Sequence, residues 1–89
     1  MKRLRIKVEG RVQGVFYRAS TQSKALELGL SGWVKNQPDG SVLIEVQGNT
    51  EVLDKMIKWC KEVPIMARID NLDQEDIPVE AGTSFDIIR

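Results

Sequence analysis

Apolar and charged residues alternate near the start of the chain, where Leu4, Ile6 and Val8 are separated by charged side chains. A period of two is typical of a strand with one buried face. The pattern predicts a first strand over Leu4 to Glu9 that ends at Gly10. The segment from Tyr17 to Leu28 is rich in helix-forming residues and is followed by glycine, which predicts a first helix.

A hairpin and a second helix follow. The segment from Leu30 to Asn36 predicts a second strand, Gln37 to Gly40 a turn with proline in its second position, and Ser41 to Gln47 a third strand. Asn49 and Thr50 are capping residues at the start of the second helix. The apolar residues of this helix recur at helical spacing before Pro64 ends it: Val52, Leu53, Met56, Ile57, Cys60 and Val63.

The remainder of the chain predicts a fourth strand over Ala67 to Leu72, a solvated loop over Asp73 to Ser84 and a short strand over Phe85 to Arg89. The order is βαββαβ with one terminal strand added. It indicates an α+β fold in which one antiparallel sheet is covered on one face by two helices. The length of 89 residues fits one domain over residues 1–89.

This order brings two distant polar residues together. In a split βαβ unit the first two strands run in the same direction with another strand between them, so their carboxyl ends lie at one edge of the sheet. Arg18 begins the helix after the first strand, and Asn36 ends the second strand. Asn36 also shares strand parity with Val34, so it faces the helices if Val34 does. We therefore expect Arg18 and Asn36 to be neighbours.

The segment Gly10 to Arg18, GRVQGVFYR, connects a strand to a helix through two glycines. Backbone N–H groups in such a turn can converge at the positive end of the helix dipole and bind an anion. Arg18 adds a planar set of donors suited to phosphate oxygens. The segment is neither a Walker loop nor a dinucleotide-binding motif. Since most glycine-containing turns of this kind bind nothing, the residues alone leave its ligand open.

The amino-acid composition excludes several classes of function and of active site. Thirteen Lys and Arg balance thirteen Asp and Glu, without the basic patch that nucleic-acid binding requires. The chain has no histidine and only one cysteine, which excludes a Ser-His-Asp triad, an intramolecular disulfide and the usual zinc ligand set. No apolar run of spanning length and no signal-peptide pattern is present. We expect a cytoplasmic protein that does not bind a membrane.

Two motifs resemble those of the acylphosphatase family. GRVQGVFYR at Gly10 to Arg18 is similar to the family's phosphate loop, and Gly32-Trp33-Val34-Lys35-Asn36 is similar to its G-W-V-R-N segment. The departures are Tyr17 in place of Phe, Lys35 in place of Arg, and Glu62-Val63 where the family tends to have glycine. The resemblance continues through Val46-Gln47-Gly48 to Ala67-Arg68-Ile69, so it covers nearly the whole chain.

The resemblance implies a ferredoxin-like fold and hydrolysis of acyl phosphates to carboxylate and inorganic phosphate. The family's catalytic arginine corresponds to Arg18 and its catalytic asparagine to Asn36. The phosphate would be held by Arg18 and by backbone N–H groups of the loop residues Gln13, Gly14, Val15, Phe16 and Tyr17. Asn36 would orient the attacking water. A carboxylate leaves easily because its conjugate acid has a pKa of about 4, so the absence of a histidine general acid fits this substrate class.

The expected partner is a small acyl phosphate, and we expect a monomer with no cofactor, no metal and no nucleic acid. Two alternatives remain open. One is a non-catalytic anion-binding or regulatory module of the same fold. The other is a single-stranded RNA binder, because RNA-recognition domains share the βαββαβ order. Those domains use aromatic residues on their central strands, and the predicted first and third strands contain none.

Overall fold

The computed structural model describes residues 1–14, 17–62 and 67–88. Its five strands form one sheet in the order β4-β1-β3-β2-β5. The predicted α+β class with a ferredoxin-like order of elements is confirmed. The elements are β1 (Lys2–Arg11), α1 (Tyr17–Glu27), β2 (Ser31–Asn36), β3 (Val42–Gly48), α2 (Thr50–Lys61), β4 (Arg68–Ile77) and β5 (Phe85–Ile88).

The core lies between one face of the sheet and the two helices. The alternating apolar residues of β1 and β3 face each other across the strand pair, as in Leu4 opposite Val46 and Ile6 opposite Ile44. All of them are buried, as the period of two predicts. The helices contribute a second set of buried side chains to the same cluster: Tyr17 and Ala25 from α1, and Leu53, Met56 and Cys60 from α2.

The sheet is antiparallel from β1 to β4, whereas β5 pairs with β2 in parallel, with Ile87 opposite Val34. The prediction of a wholly antiparallel sheet is therefore wrong for its last strand. β4 and β5 lie at opposite edges of the sheet, so the chain crosses the sheet between them. β5 then runs beside β2 in the same direction.

Two predicted boundaries on the β4 side are wrong. β1 does not end at Gly10 but continues to Arg11, with an irregularity at Glu9 and Gly10 where it pairs with β4. β4 extends to Ile77, so residues 73–77, predicted as loop, are strand. These residues are highly polar because they lie on an exposed edge strand, where charge discourages pairing with other chains.

A buried polar cluster lies on the face of the sheet away from the helices. Arg3, Glu45 and Gln47 are each 5% exposed. The side-chain amide of Gln47 donates to the backbone carbonyl of Glu80 and accepts from its N–H, both at 2.8 Å. This reciprocal pair holds the connection between β4 and β5 against the sheet. Among the described residues no helix is long and apolar enough to cross a membrane.

Candidate active site

Arg18 and Asn36 line the same cavity, which has a volume of about 270 Å³. Val34 is fully buried against the helices, and Asn36 lies on the same face of β2, two residues further along. Arg18 reaches the cavity from the first turn of α1. The topology thus brings together two residues that are far apart in sequence. The other described residues that line the cavity are Val12, Gly14, Tyr17, Ala19 and Ile87.

The turn between β1 and α1 provides a positive environment. Gly14 has a φ of +72°, a left-handed conformation of the kind found in backbone anion-binding nests. α1 begins at Tyr17 and has no acidic residue in its first turn, so the helix dipole there is not compensated by a carboxylate. No ion-pair partner of Arg18 occurs within residues 1–14, 17–62 and 67–88. Val15 and Phe16, predicted to contribute backbone N–H groups, lie outside the described residues.

Asn36 carries an unsatisfied acceptor. Its side-chain oxygen Oδ1 is buried and has no hydrogen-bond partner in the part of the chain that the structure describes. Leaving a buried polar atom without a partner costs about 1–3 kcal/mol, and such atoms are rare in folded proteins. Asn36 also lines the cavity, and its neutral side-chain amide can form hydrogen bonds with a water molecule there.

Gln13 has a role that the sequence did not indicate. Its backbone was predicted to contact phosphate, but its side-chain nitrogen Nε2 donates to the backbone carbonyls of Gln37 and Ser41, each at 2.8 Å. These carbonyls belong to the turn between β2 and β3. A glutamine in a glycine-containing loop gives no local signal of its partners, because they are 24 and 28 residues away in sequence.

The turn itself is closed by several bonds. The N–H of Gly40 donates to Gln37 at 3.1 Å, as expected for the predicted turn. The Asp39 carboxylate accepts from the backbone N–H and the hydroxyl of Ser41 and lies 3.1 Å from the ammonium of Lys7. The hydrogen bonds from Ser41, followed by that from Lys7, lower the pKa of Asp39 to about 2. The turn is thereby tied to β1 through Lys7.

Tyr17 forms the inner wall of the cavity. It is 1% exposed, and its ring stacks on Trp59 with centroids 5.9 Å apart. Among the described residues its hydroxyl makes no hydrogen bond of good geometry, although it lies beside the weakly accepting thiol of Cys60. Burial raises the pKa of the neighbouring Cys60 thiol to about 12, with a smaller opposite contribution from the Tyr17 hydroxyl. Cys60 is therefore an inert core residue, as predicted from its place on the apolar face of α2.

No group of three or more cysteine and carboxylate side chains suited to hold a metal ion occurs within the described ranges. The sequence contains no histidine that could add to such a group.

Comparison with known proteins gives a consistent result over the whole chain. The acylphosphatase family model matches residues 4–87. An acylphosphatase of Methylococcus capsulatus is 47% identical over 100% of this chain and 98% of its own length. The crystal structure of acylphosphatase from Bacillus subtilis has a TM-score of 0.92 at 33% identity, covering 100% of both chains. The structure of an acylphosphatase from Coxiella burnetii has a TM-score of 0.93 at 37% identity, covering 98% of this chain and 92% of that one. Sequence and fold therefore agree that this chain belongs to the acylphosphatase family.

Proposed function

We propose that Arg18 and Asn36 carry out the acyl-phosphate hydrolysis of this acylphosphatase. The bond between the acyl carboxyl group and the phosphoryl group is cleaved by water, and the products are a carboxylate and inorganic phosphate. The observation that carries the assignment is that Arg18 and Asn36 line one cavity, and that the buried Oδ1 of Asn36 has no hydrogen-bond partner among the described residues. One residue has spare donors for an anion, and the other has a spare acceptor for water.

The phosphoryl group binds between Arg18 and the loop that precedes α1. Support comes from the left-handed Gly14, the uncompensated start of α1 and the absence of a described ion-pair partner for Arg18. We assign the remaining contacts to backbone N–H groups from Gln13 to Tyr17. Arginine offers a planar pair of donors to two phosphate oxygens, and it offsets the charge that these oxygens carry in the transition state.

Asn36 orients the attacking water. A water that donates a hydrogen bond to Oδ1 keeps its lone pairs free to approach phosphorus. An aspartate at this position would place a second negative charge beside the phosphate, so the neutral amide is the better group. No carboxylate occurs among the described residues that line the cavity, so the protein contributes by positioning the reactants and stabilising charge.

The leaving group needs no proton. A carboxylate has a conjugate acid with a pKa of about 4 and departs as an anion at neutral pH. The alkoxide of an ordinary phosphate ester would need a general acid such as histidine, which this sequence lacks. The substrate class therefore agrees with the side chains that are present.

We further propose a single domain that acts as a cytoplasmic monomer on a small substrate, without nucleic acid. The lone, buried thiol of Cys60 is consistent with a reducing compartment. The charged edge strand β4 disfavours pairing with a second copy. The central strands β1 and β3 contain no aromatic residue for base stacking.

The test is hydrolysis of benzoyl phosphate in the presence of EDTA, with inorganic phosphate as a competitive inhibitor. Removing one charge-stabilising donor costs about 10²–10³-fold in kcat, so we expect a loss of that order or more for Arg18→Ala. This variant should also bind phosphate more weakly. Asn36→Ala should lower kcat by at least about 10²-fold with little change in phosphate inhibition, because it contacts the water rather than the phosphate.

Matched controls come from β4. Arg68→Ala removes an exposed arginine that pairs with Asp70, and Asn71→Ala removes an exposed asparagine. Both should keep wild-type turnover. Activity of Arg18→Ala or Asn36→Ala within twofold of these controls would refute the assignment of that residue. Phosphate binding by the wild-type protein without any turnover would instead indicate a non-catalytic module.

A further inference from the structure

We propose that Gln13 is a positioning residue whose side chain sets the distance between the phosphate loop and Asn36. The inference rests on the proposed roles of the loop and of Asn36, and it assigns the Gln13 side chain a function separate from that of its backbone. The proposed function of the side chain is to position the attacking water relative to the phosphoryl group.

The sheet order creates the need for such a residue. β3 lies between β1 and β2, and neighbouring strands are about 4.8 Å apart. The loop that follows β1 and the residue that ends β2 are therefore separated by about two strand spacings, or roughly 10 Å. Backbone hydrogen bonds join only adjacent strands, so they tie neither element directly to the other. A long polar side chain that crosses the end of β3 can do so.

Gln13 makes this connection with both hydrogens of one amide group. Nε2 donates to the carbonyl of Gln37, which directly follows Asn36, and to the carbonyl of Ser41 on the other side of the turn. The same two carbonyls close the hairpin, because Ser41 accepts from the N–H of Gln37 at 2.8 Å and Gln37 accepts from the N–H of Gly40 at 3.1 Å. Gln13 therefore donates to the same two carbonyls that accept the hydrogen bonds within the turn.

The hairpin that Gln13 contacts is closed by its own hydrogen bonds. Asp39 bonds Ser41 within the turn, and its ion pair with Lys7 joins the turn to β1. Because these bonds constrain the hairpin, we expect that it does not shift to compensate when the Gln13 side chain is shortened. The position of the phosphate loop relative to Asn36 then depends on the length of the glutamine side chain and on its two donors.

Loss of this link should affect kcat more than phosphate binding. A misplacement of about 1 Å between reacting groups can cost about 10²-fold in rate. We expect Gln13→Ala to lower kcat for benzoyl phosphate by about 10- to 100-fold. The inhibition constant of inorganic phosphate should change by less than about threefold, because Arg18 and the loop N–H groups remain. Gln13→Asn keeps the amide but is one carbon shorter, and it should also lower kcat.

Gln47→Ala is the matched control. Gln47 also makes two 2.8 Å hydrogen bonds to backbone atoms, but it lies on the opposite face of the sheet, away from the cavity. Its loss should reduce stability at least as much, because Gln47 also contacts the buried Arg3, and it should leave kcat unchanged. Urea denaturation of each variant shows whether the protein is folded under assay conditions. If Gln13→Ala does not fold, the same measurements on Gln13→Asn decide the matter.

A double-mutant cycle with Asn36→Ala separates positioning from a general effect on the loop. If Gln13 acts by placing the phosphate relative to the Asn36-bound water, Gln13→Ala should cost less than about threefold in the Asn36→Ala background. Full additivity of the two losses would overturn the proposal. So would a wild-type kcat in both Gln13 variants, or a rise in the phosphate inhibition constant that matches the fall in kcat/KM. Failure of the proposed function is distinct, since Arg18→Ala and Asn36→Ala would then retain activity.

Discussion

The buried charge of Glu45 should be a major determinant of stability, and Glu45→Gln tests this with little change in side-chain shape. Glu45 lies on the outer face of the sheet, where its carboxylate joins two arginines of β1. Its Oε1 is 3.2 Å from Arg3, and its Oε2 is 2.9 Å from Arg5. The side chains of Arg3 and Glu45 are only 6% and 7% exposed.

The substitution leaves the Arg3 guanidinium buried and poorly compensated. Its remaining carboxylate partner among the described residues is the exposed Glu80, at 3.3 Å. Removing one member of a buried ion pair typically costs about 3–5 kcal/mol. Because Glu80 remains and the new amide oxygen can still accept a hydrogen bond, we expect the lower end of that range, about 3 kcal/mol. Total stabilities are about 5–15 kcal/mol, so this is a large fraction of the total.

The assay is urea denaturation followed by circular dichroism, with Glu75→Gln as the control. Glu75 also pairs with Arg5, at 3.3 Å, but its side chain is 61% exposed. Exposed pairs contribute about 0–1 kcal/mol, so the control should lose less than about 1 kcal/mol. A loss below about 1 kcal/mol for Glu45→Gln, or equal losses for the two variants, would refute the reasoning. Benzoyl phosphate turnover by folded Glu45→Gln should be unchanged, since the cavity lies on the other face.

Three further outcomes are expected from denaturation measurements. Tyr17→Phe removes a buried hydroxyl whose described neighbour is the weakly hydrogen-bonding thiol of Cys60, so it should raise the free energy of unfolding by up to about 1 kcal/mol; a decrease would show that the hydroxyl is satisfied. The pKa of Asp39 is lowered to about 2 from 3.8, mainly by hydrogen bonds from Ser41, so its contribution is present above about pH 4 and is lost as pH falls through 2. The stability difference between wild type and Asp39→Asn should shrink over that interval, and a constant difference would contradict the assignment. Gly32→Ala should destabilise by more than about 1 kcal/mol, because Gly32 has a φ of +140° and an added Cβ would collide with the carbonyl oxygen of Glu45; wild-type stability would contradict this.

Local patterns predicted much of the fold because they depend on near neighbours in sequence. The alternation of Leu4, Ile6 and Val8 identifies the buried face of β1, and the helical spacing of Leu53, Met56 and Cys60 identifies that of α2. The location of the cavity could be predicted from the sequence for the same reason. Asn36 lies two residues after the buried Val34 and therefore shares its face of the strand. The order of elements places Arg18 and Asn36 at the same edge of the sheet.

The hydrogen-bonding partners of polar residues could not be predicted from local patterns. Residues 73–77 lack an apolar pattern and become strand only because they pair with β1. Arg3 and Glu45 are charged, yet both are buried, and Arg3 pairs with Glu80 of the connection between β4 and β5.

The sequence alone therefore predicted most of the helices and strands and their apolar faces, although residues 73–77 were predicted as loop. The resemblance to the family added the prediction that Arg18 and Asn36 act on an acyl phosphate. Only the tertiary structure decided that β5 runs parallel to β2, that the Asn36 side-chain oxygen has no partner among the described residues, and that the Gln13 side chain forms hydrogen bonds with the hairpin. Periodicity and turn preferences act over a few residues, where chain geometry fixes which side chains meet. Hydrogen-bond partners 24 or more residues apart are set by the packing of the whole sheet, which no local pattern encodes.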